Sequence, residues 1–161
     1  MSAGEILSLA PEPLTPAAFA PFGQVIEADP ASAMGINAGY TTRFHALAEV
    51  AVEGGAPILS IFRGRPRPLV VDMLERHPFG TQAFMPLGGR PWLAVCAEAP
   101  GAPLRAFLAR GDQGAQYAAG AWHFPLLTLA AQDFLVVDRA SPESNVEVAA
   151  LDAPAVVALS A

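Results

Sequence analysis

Hydrophobic positions along this chain come in short runs, and Gly or Pro closes almost every one. Ten runs read as strands: Val25-Ile26, Arg43–Leu47, Pro57–Arg63, Leu69–Leu74, Ala83–Met85, Trp92–Cys96, Leu104–Leu108, Leu126–Leu129, Phe134–Asp138 and Val146–Ala149. Ile58, Ser60 and Phe62 show the period-2 alternation of a half-buried strand. Other runs are apolar throughout, a pattern that buried strands share with buried helices. One helix start is clear: Thr15 caps, Pro16 takes the first helical position and Gly23 stops it, giving a helix within Pro16–Pro21. Leu104–Ala109 also contains good helix formers, between Pro103 and Gly111. Many short strands with regular turns predict a mainly all-β fold, a sandwich or barrel with one or two short helices. The Ala-rich tail Asp152–Ala161 reads as a segment packed at an edge or an interface.

Composition narrows the chemistry. With 161 residues and no repeat, linker or low-complexity tract, the chain reads as a single domain over 1–161. Hydrophobic residues make up 53% and charged residues 15%, which supplies a core and argues against disorder. All nine basic residues are Arg, so a Schiff-base lysine, a lysine general base and a Walker-A lysine are excluded. The net charge of −6, without a basic run, makes nucleic acid and anionic membranes poor partners. No apolar run approaches the ~20 residues of a membrane span, and MSAGEILSLAPEPL lacks the pattern of an export signal. Cys96 stands alone, which excludes an internal disulfide and a multi-thiolate zinc site and fits a reducing, cytoplasmic setting.

The chain has three histidines: His45, His77 and His123. Around His77, ERHPFGTQAFMPLGG has the spacing E-x-H-x4-Q-x6-G. This resembles the first motif of cupin barrels, H-x-H-x4-E-x6-G, with Glu75 and His77 in the His slots, Gln82 in the Glu slot and Gly89 at the turn. Residues two apart on a strand share a face, so Glu75 and His77 would both project into a barrel, with Gln82 facing them from the return strand. AAGAWHFPL supplies the G-x-x-H of the second motif, Gly120 and His123. Glu75, His77, Gln82 and His123 would then form a mixed N/O set suited to a divalent first-row metal ion. Against this stands a plainer alternative, in which Glu75-Arg76-His77 is a charged strand end and His123 a satisfied core histidine beside Trp122.

Longer strings carry a stronger resemblance. INAGYTTRFHALAEV, ISIFRGRPRPL, MLERHPFGTQAFMPLGGRPWLAVCA, LRAFLARGDQGAQYAAGAWHFPLL and DFLVVDR together resemble the ureidoglycolate lyase family, from about Leu14 to about Glu147. The resemblance implies a cupin-like β-barrel, a homodimer, and cleavage of (S)-ureidoglycolate to glyoxylate and urea in allantoin and purine catabolism. One departure stands out. The family commonly reads WHHPL, and here Phe124 replaces the second His. Strand alternation puts His123 and Phe124 on opposite faces, so Phe124 reads as a core filler. Tyr40 likewise stands where a small or polar residue is usual.

Ureidoglycolate is a carbinolamide: loss of the hydroxyl proton lets its C–N bond break. A catalyst needs a cation for the carboxylate, a base for the hydroxyl and a donor for the leaving urea. Arg43, Arg63 and Arg76 are the candidate cations, since guanidinium forks match carboxylates. His77 or His123 reads as the base, with Glu75 as the base of a metal-free site. Asn37, Thr42, Ser60 and Gln82 are candidates to orient the substrate, and Tyr117 and Trp122 to wall the pocket. His45 reads equally as a packing residue, and Asp138-Arg139 as a strand-end ion pair. Two alternatives stay open: an amidohydrolase releasing ammonia from the same substrate, and a non-catalytic cupin that binds a small acid.

Overall fold

The computed structural model describes residues 6–160. Met1–Glu5, the start of the segment read for an export signal, and Ala161 lie outside the described residues. The strands are β1 (Leu7–Leu9), β2 (Glu12–Pro13), β3 (Gly23–Ile26), β4 (Ala33–Ile36), β5 (Thr41–Phe44), β6 (Ala56–Gly64), β7 (Val70–Arg76) and β8 (Gln82–Pro86). They continue with β9 (Trp92–Ala97), β10 (Arg105–Ala109), β11 (Gly114–Tyr117), β12 (Trp122–His123), β13 (Leu127–Thr128), β14 (Gln132–Ala140) and β15 (Glu147–Val157). The larger sheet runs β1-β15-β7-β12-β9-β10-β2, with β13 also on β9, and the second runs β3-β11-β8-β14-β6. Strands β4 and β5 pair only with each other. The fold is all-β, and the two main sheets face each other across an inner apolar cluster. Among the described residues no helix is long and apolar enough to cross a membrane.

The continuously apolar run on β9 resolves as a strand buried on both faces. Trp92, Ala94 and Cys96 point between the sheets, into a cluster with Phe84, Phe107, Tyr117, Phe134 and Val136. Leu93, Val95 and Ala97 point to the other face, into a second cluster with Val71, Leu74, Phe124 and Leu127. Every position of β9 is buried, so no alternation was visible in its sequence. Aromatic rings lock the inner cluster, with Trp92 edge-on to Phe134 at 5.7 Å and Phe19 edge-on to Phe107 at 5.3 Å. Each such fully buried ring contributes roughly 1.5–3 kcal/mol of transfer free energy.

Several boundaries differ from expectation, each for a local reason. The helix α1 covers Pro16–Phe19, capped by Thr15 Oγ1 accepting from the Ala18 N–H at 3.2 Å. It stops short of Pro21: Ala20 still has helical dihedrals (φ −50°, ψ −37°), but Pro21 has no N–H with which to continue the helix ladder. Leu104–Ala109 is strand, not helix: β10 pairs with β9 over Arg105–Ala109. The strand expected at Arg43–Leu47 is displaced to Thr41–Phe44, since Ala46 sits at φ +52° in the following turn. Leu126–Leu129 shrinks to Leu127–Thr128, while Val146–Ala149 grows into β15 and absorbs much of the Ala-rich tail. The strand pairs among the described residues are antiparallel apart from two, β1 with β15 and β2 with β10, which are parallel. Strand β11, GAQY, has little intrinsic β preference and went unread. Its two antiparallel neighbours, β3 and β8, hold it in place.

Candidate active site

Backbone pairing assembles the centre. His123 on β12 is directly opposite Glu75 on β7 and opposite Cys96 on β9, so Glu75 and His123 share the inward face. His77 follows two residues after Glu75 and returns to that face. Gly120, at φ +80°, turns the chain ahead of β12, and its N–H donates to the His77 carbonyl at 2.9 Å. A side chain at Gly120 would strain that turn. The G-x-x-H spacing thus brings His123 back against His77.

The three side chains converge. Glu75 Oε1 lies 3.8 Å from His77 Nε2 and 3.7 Å from His123 Nε2. One ligand atom from each of the three fits within 4.8 Å of the others. Each imidazole is oriented from behind: His77 Nδ1–H donates to the Asn145 carbonyl and His123 Nδ1–H to the Ala121 carbonyl, both at 2.9 Å. A carbonyl only accepts, so in the neutral rings Nδ1 carries the proton and Nε2 the lone pair. Both Nε2 atoms are buried and have no hydrogen-bond partner.

Electrostatics follow from burial. Desolvation lowers the His123 pKa to about 4, against a rise from its backbone hydrogen bond, so its Nε2 lone pair is free at neutral pH. Desolvation raises the Glu75 carboxyl, partly offset by His77. Tyr117 stacks on His123 at 3.9 Å and 10°, and burial pushes its phenol well up, so it is a protonated wall. Burial also pushes the Cys96 thiol up, which keeps it a packed thiol rather than a ligand.

Two partner-free imidazole nitrogens and a half-buried carboxylate, each ring fixed by a backbone acceptor, fit a divalent metal ion. Gln82 is opposite Tyr117 across β8 and β11, on the same inward side, and its buried Oε1 also lacks a partner while its Nε2 donates to Asp138 at 3.2 Å. It is a neutral oxygen adjacent to the set.

The structure separates the remaining candidates. Ser60 is on the inward side of β6, level with Val136 and two residues from Phe62, whose ring meets Phe84 at 5.8 Å. Arg76 and Trp122 lie on the opposite face from Glu75 and His123. There the Arg76 guanidinium covers the Trp122 ring at 4.9 Å and pairs with Glu147 at 2.7 Å. Arg63 pairs with Asp133 at 2.9 Å near the far end of β6, five strand positions or roughly 16 Å from the Asp138 end. Asn37, Thr42 and Arg43 sit on the β4–β5 ribbon, where all three are exposed. His45 lies at the root of that ribbon, its N–H on the Ser32 carbonyl at 3.2 Å. Phe124 is 2% exposed in the outer cluster with Arg67 over its ring at 4.8 Å, on the face away from His123 as alternation required.

Asp138 and Arg139 do not form the ion pair read from their adjacency, because neighbouring strand residues point to opposite faces. Asp138 turns inward to Gln82, and Arg139 donates to the carbonyls of Glu53 at 2.6 Å and Gly54 at 3.1 Å. Arg139 also lines a cavity of about 300 Å³ with His77, Thr81, Asp138, Ser141 and Asn145. Sequence reading missed both Arg139 and Asn145. The DFLVVDR string gives the alternation that turns Asp138 inward, but nothing local reports the fold-back at the strand end.

The fold and this centre define an all-β protein with a His–Glu–His cluster on its inner face. The profile of the family described as ureidoglycolate lyase matches residues 6–158. A ureidoglycolate lyase of Rhizobium etli (strain CIAT 652) is 56% identical over 154 residues, covering 90% of this chain and 92% of the relative. Ureidoglycolate lyase 1 of Rhizobium meliloti (strain 1021) is 56% identical over 145 residues, covering 84% and 85%. The enzyme of Brucella ovis is 54% identical over 151 residues, covering 89% of each chain. Among solved structures, a Bacillus subtilis oxalate decarboxylase shares 9% identity at a TM-score of 0.40, over 60% of this chain and 24% of that one, too remote to argue from. The chain belongs to the ureidoglycolate lyase family and is a lyase.

Proposed function

We propose that the protein cleaves (S)-ureidoglycolate to glyoxylate and urea, at the centre formed by Glu75, His77 and His123. The observation that carries this reading is the convergence of two partner-free Nε2 lone pairs on one half-buried carboxylate, in a chain of this family. The reaction moves one proton from the substrate hydroxyl to the departing ureido nitrogen while the C–N bond breaks. Glu75 suits that shuttle, because burial raises its pKa above the ordinary carboxylate value, against a lowering by His77, and so makes it a better base. His77 and His123 present Nε2 lone pairs beside Glu75, suited to accept from the ureido N–H groups or to bind a cation, and Tyr117 excludes water behind His123. With a divalent first-row metal ion held by Glu75, His77, His123 and Gln82, Glu75 would serve as a ligand in place of the base, and the ion would supply Lewis acidity that lowers the hydroxyl pKa. Ser60 faces the barrel interior and suits contact with the ureido group.

The same reading makes the protein a cytoplasmic homodimer. A buried free thiol fits the compartment. The β4–β5 ribbon supports the dimer. A lone two-stranded ribbon is at best marginally stable in water, and this one exposes Met34 at 46%, Ile36 at 40% and Tyr40 at 89%. Arg43 is its single charge, and Asp138 and Glu143 line the cavity beside His77. Asn37, Thr42 and Arg43 then serve the site of the second copy, across a two-fold interface.

Incubation with racemic ureidoglycolate, with glyoxylate, urea and ammonia quantified, tests the reading. Glyoxylate with equimolar urea is expected. Ammonia in place of urea identifies the amidohydrolase, and saturable glyoxylate binding without turnover identifies a binding module. Loss of turnover on chelation, with one metal ion per chain before it, supports the metal role.

A further inference from the structure

Arg139 is clamped more tightly than any surface arginine needs. Its Nε and Nη2 donate to two backbone carbonyls, at 2.6 and 3.1 Å. The Phe79 ring covers the guanidinium at 5.4 Å. Gly55 and Gly80 crowd its stem: a Cβ at either would lie 3.0 to 3.1 Å from Arg139 atoms. Those contacts fix the plane of the guanidinium and leave Nη1 buried with no partner. A buried cationic donor without an acceptor is costly, so a fold that keeps one is built for an acceptor that arrives.

Among the described residues no carboxylate fills that role. Arg63, Arg76, Arg105 and Arg110 each pair with an acid, whereas Arg139 makes no ion pair among the described residues. Asp138, next in the chain, is turned to Gln82. Arg139 is also the one cation lining the cavity that His77 shares with Thr81, Ser141 and Asn145. His77 thereby joins this cavity to the Glu75–His123 cluster on its Nε2 side.

We propose that Arg139 is the carboxylate-binding residue of the site: Nη1 receives the carboxylate of a two-carbon 2-hydroxy acid and so fixes the orientation of C2 toward Glu75 and His77. The assignment rests on the lyase reading above and goes beyond it by naming the anchor. It replaces Arg63 and Arg76, which the structure turns elsewhere. Because Asp138 and Glu143 add negative charge to the same cavity, Arg139 is the guanidinium of the same chain that offsets them for a bound acid.

Direct binding of glycolate and its uncharged amide, glycolamide, by calorimetry tests the assignment without needing turnover. The wild type is expected to prefer the acid by about 10-fold, the scale of one charge-assisted hydrogen bond. Arg139→Gln is expected to erase that preference. Added guanidinium ion is expected to restore part of it, which a merely structural role would not allow. Arg139→Lys guards against misfolding of the Gln variant: it keeps the charge, and the KM for ureidoglycolate rises about 10-fold with kcat changed less than about 3-fold. An unchanged acid preference in a folded Arg139→Gln, no acid preference in the wild type, or an unchanged KM in Arg139→Lys overturns the assignment. A wild type that binds glycolate through Arg139 yet never cleaves ureidoglycolate sinks the lyase reading instead.

Discussion

The barrel wall at β7–β12 and the ribbon β4–β5 both carried site candidates, and the structure treats them oppositely. On the wall, Glu75 and His123 are locked opposite each other by backbone pairing, and His77 is tied to the same turn through Gly120. On the ribbon, Asn37, Thr42 and Arg43 remain exposed, and the one side-chain hydrogen bond that any of them makes among the described residues runs from Asn37 Nδ2 to Thr41 Oγ1 at 3.4 Å. The wall is self-sufficient because both its faces are covered by the two apolar clusters. The ribbon has neither face covered. The difference teaches that a chemical motif and a complete site are different things: the chain covers the first region and leaves the second exposed.

The sharpest way to break the contrast is on the wall. His77→Ala, His123→Ala and Glu75→Gln are each expected to lower kcat by about 10³-fold or more, with circular dichroism unchanged. Near-wild-type turnover in these variants would remove the cluster from the chemistry. On the ribbon, Arg43→Ala and His123→Ala chains are each expected to be impaired alone. Unfolded and refolded together, they are expected to regain about one quarter of wild-type turnover, since half the dimers are mixed and one site in each is intact. A mixture as poor as its parts puts Arg43 in the same chain's site or outside it. A monomer mass for the wild type by light scattering at micromolar concentration ends the dimer reading.

Burial makes the wall sensitive to acid. In the folded, metal-free protein His123 titrates at about 4, against an ordinary 6.5. Between these values the unfolded chain binds more protons than the folded one. Stability from this residue is therefore complete above about pH 6.5 and is lost as the pH falls toward 4, about 3 kcal/mol in all. Urea unfolding of chelated protein at pH 7 and pH 4.5 measures it, and His123→Gln should flatten the slope.

Two smaller tests sharpen the facing rule. Phe124→His places an imidazole among Val71, Leu74, Leu93 and Val95, so it should cost about 1–3 kcal/mol in unfolding free energy. Turnover should stay within about 2-fold, since Phe124 faces away from His123; a clear gain in rate would show that the family's second His belongs to the chemistry. Arg63→Ala removes an exposed pair with Asp133, and thermal melts should show at most a small loss of stability that weakens with salt, with KM unchanged.

The sequence by itself determined the strand-rich architecture, through Gly and Pro spacing, and the pairing of Glu75 with His77 on one face, through the period of two. It also placed Phe124 opposite His123. All of these are local consequences of backbone geometry, which the chain states in order. Only the tertiary structure decided which arginine meets the cavity, that Arg76 and Trp122 turn outward together, that weak β-formers in β11 become a central strand, and that the ribbon stands alone. Those outcomes depend on contacts between residues far apart in the chain: the Arg139 clamp joins positions 86 apart. No local pattern encodes such a contact, because its free energy comes from what each segment buries in the others.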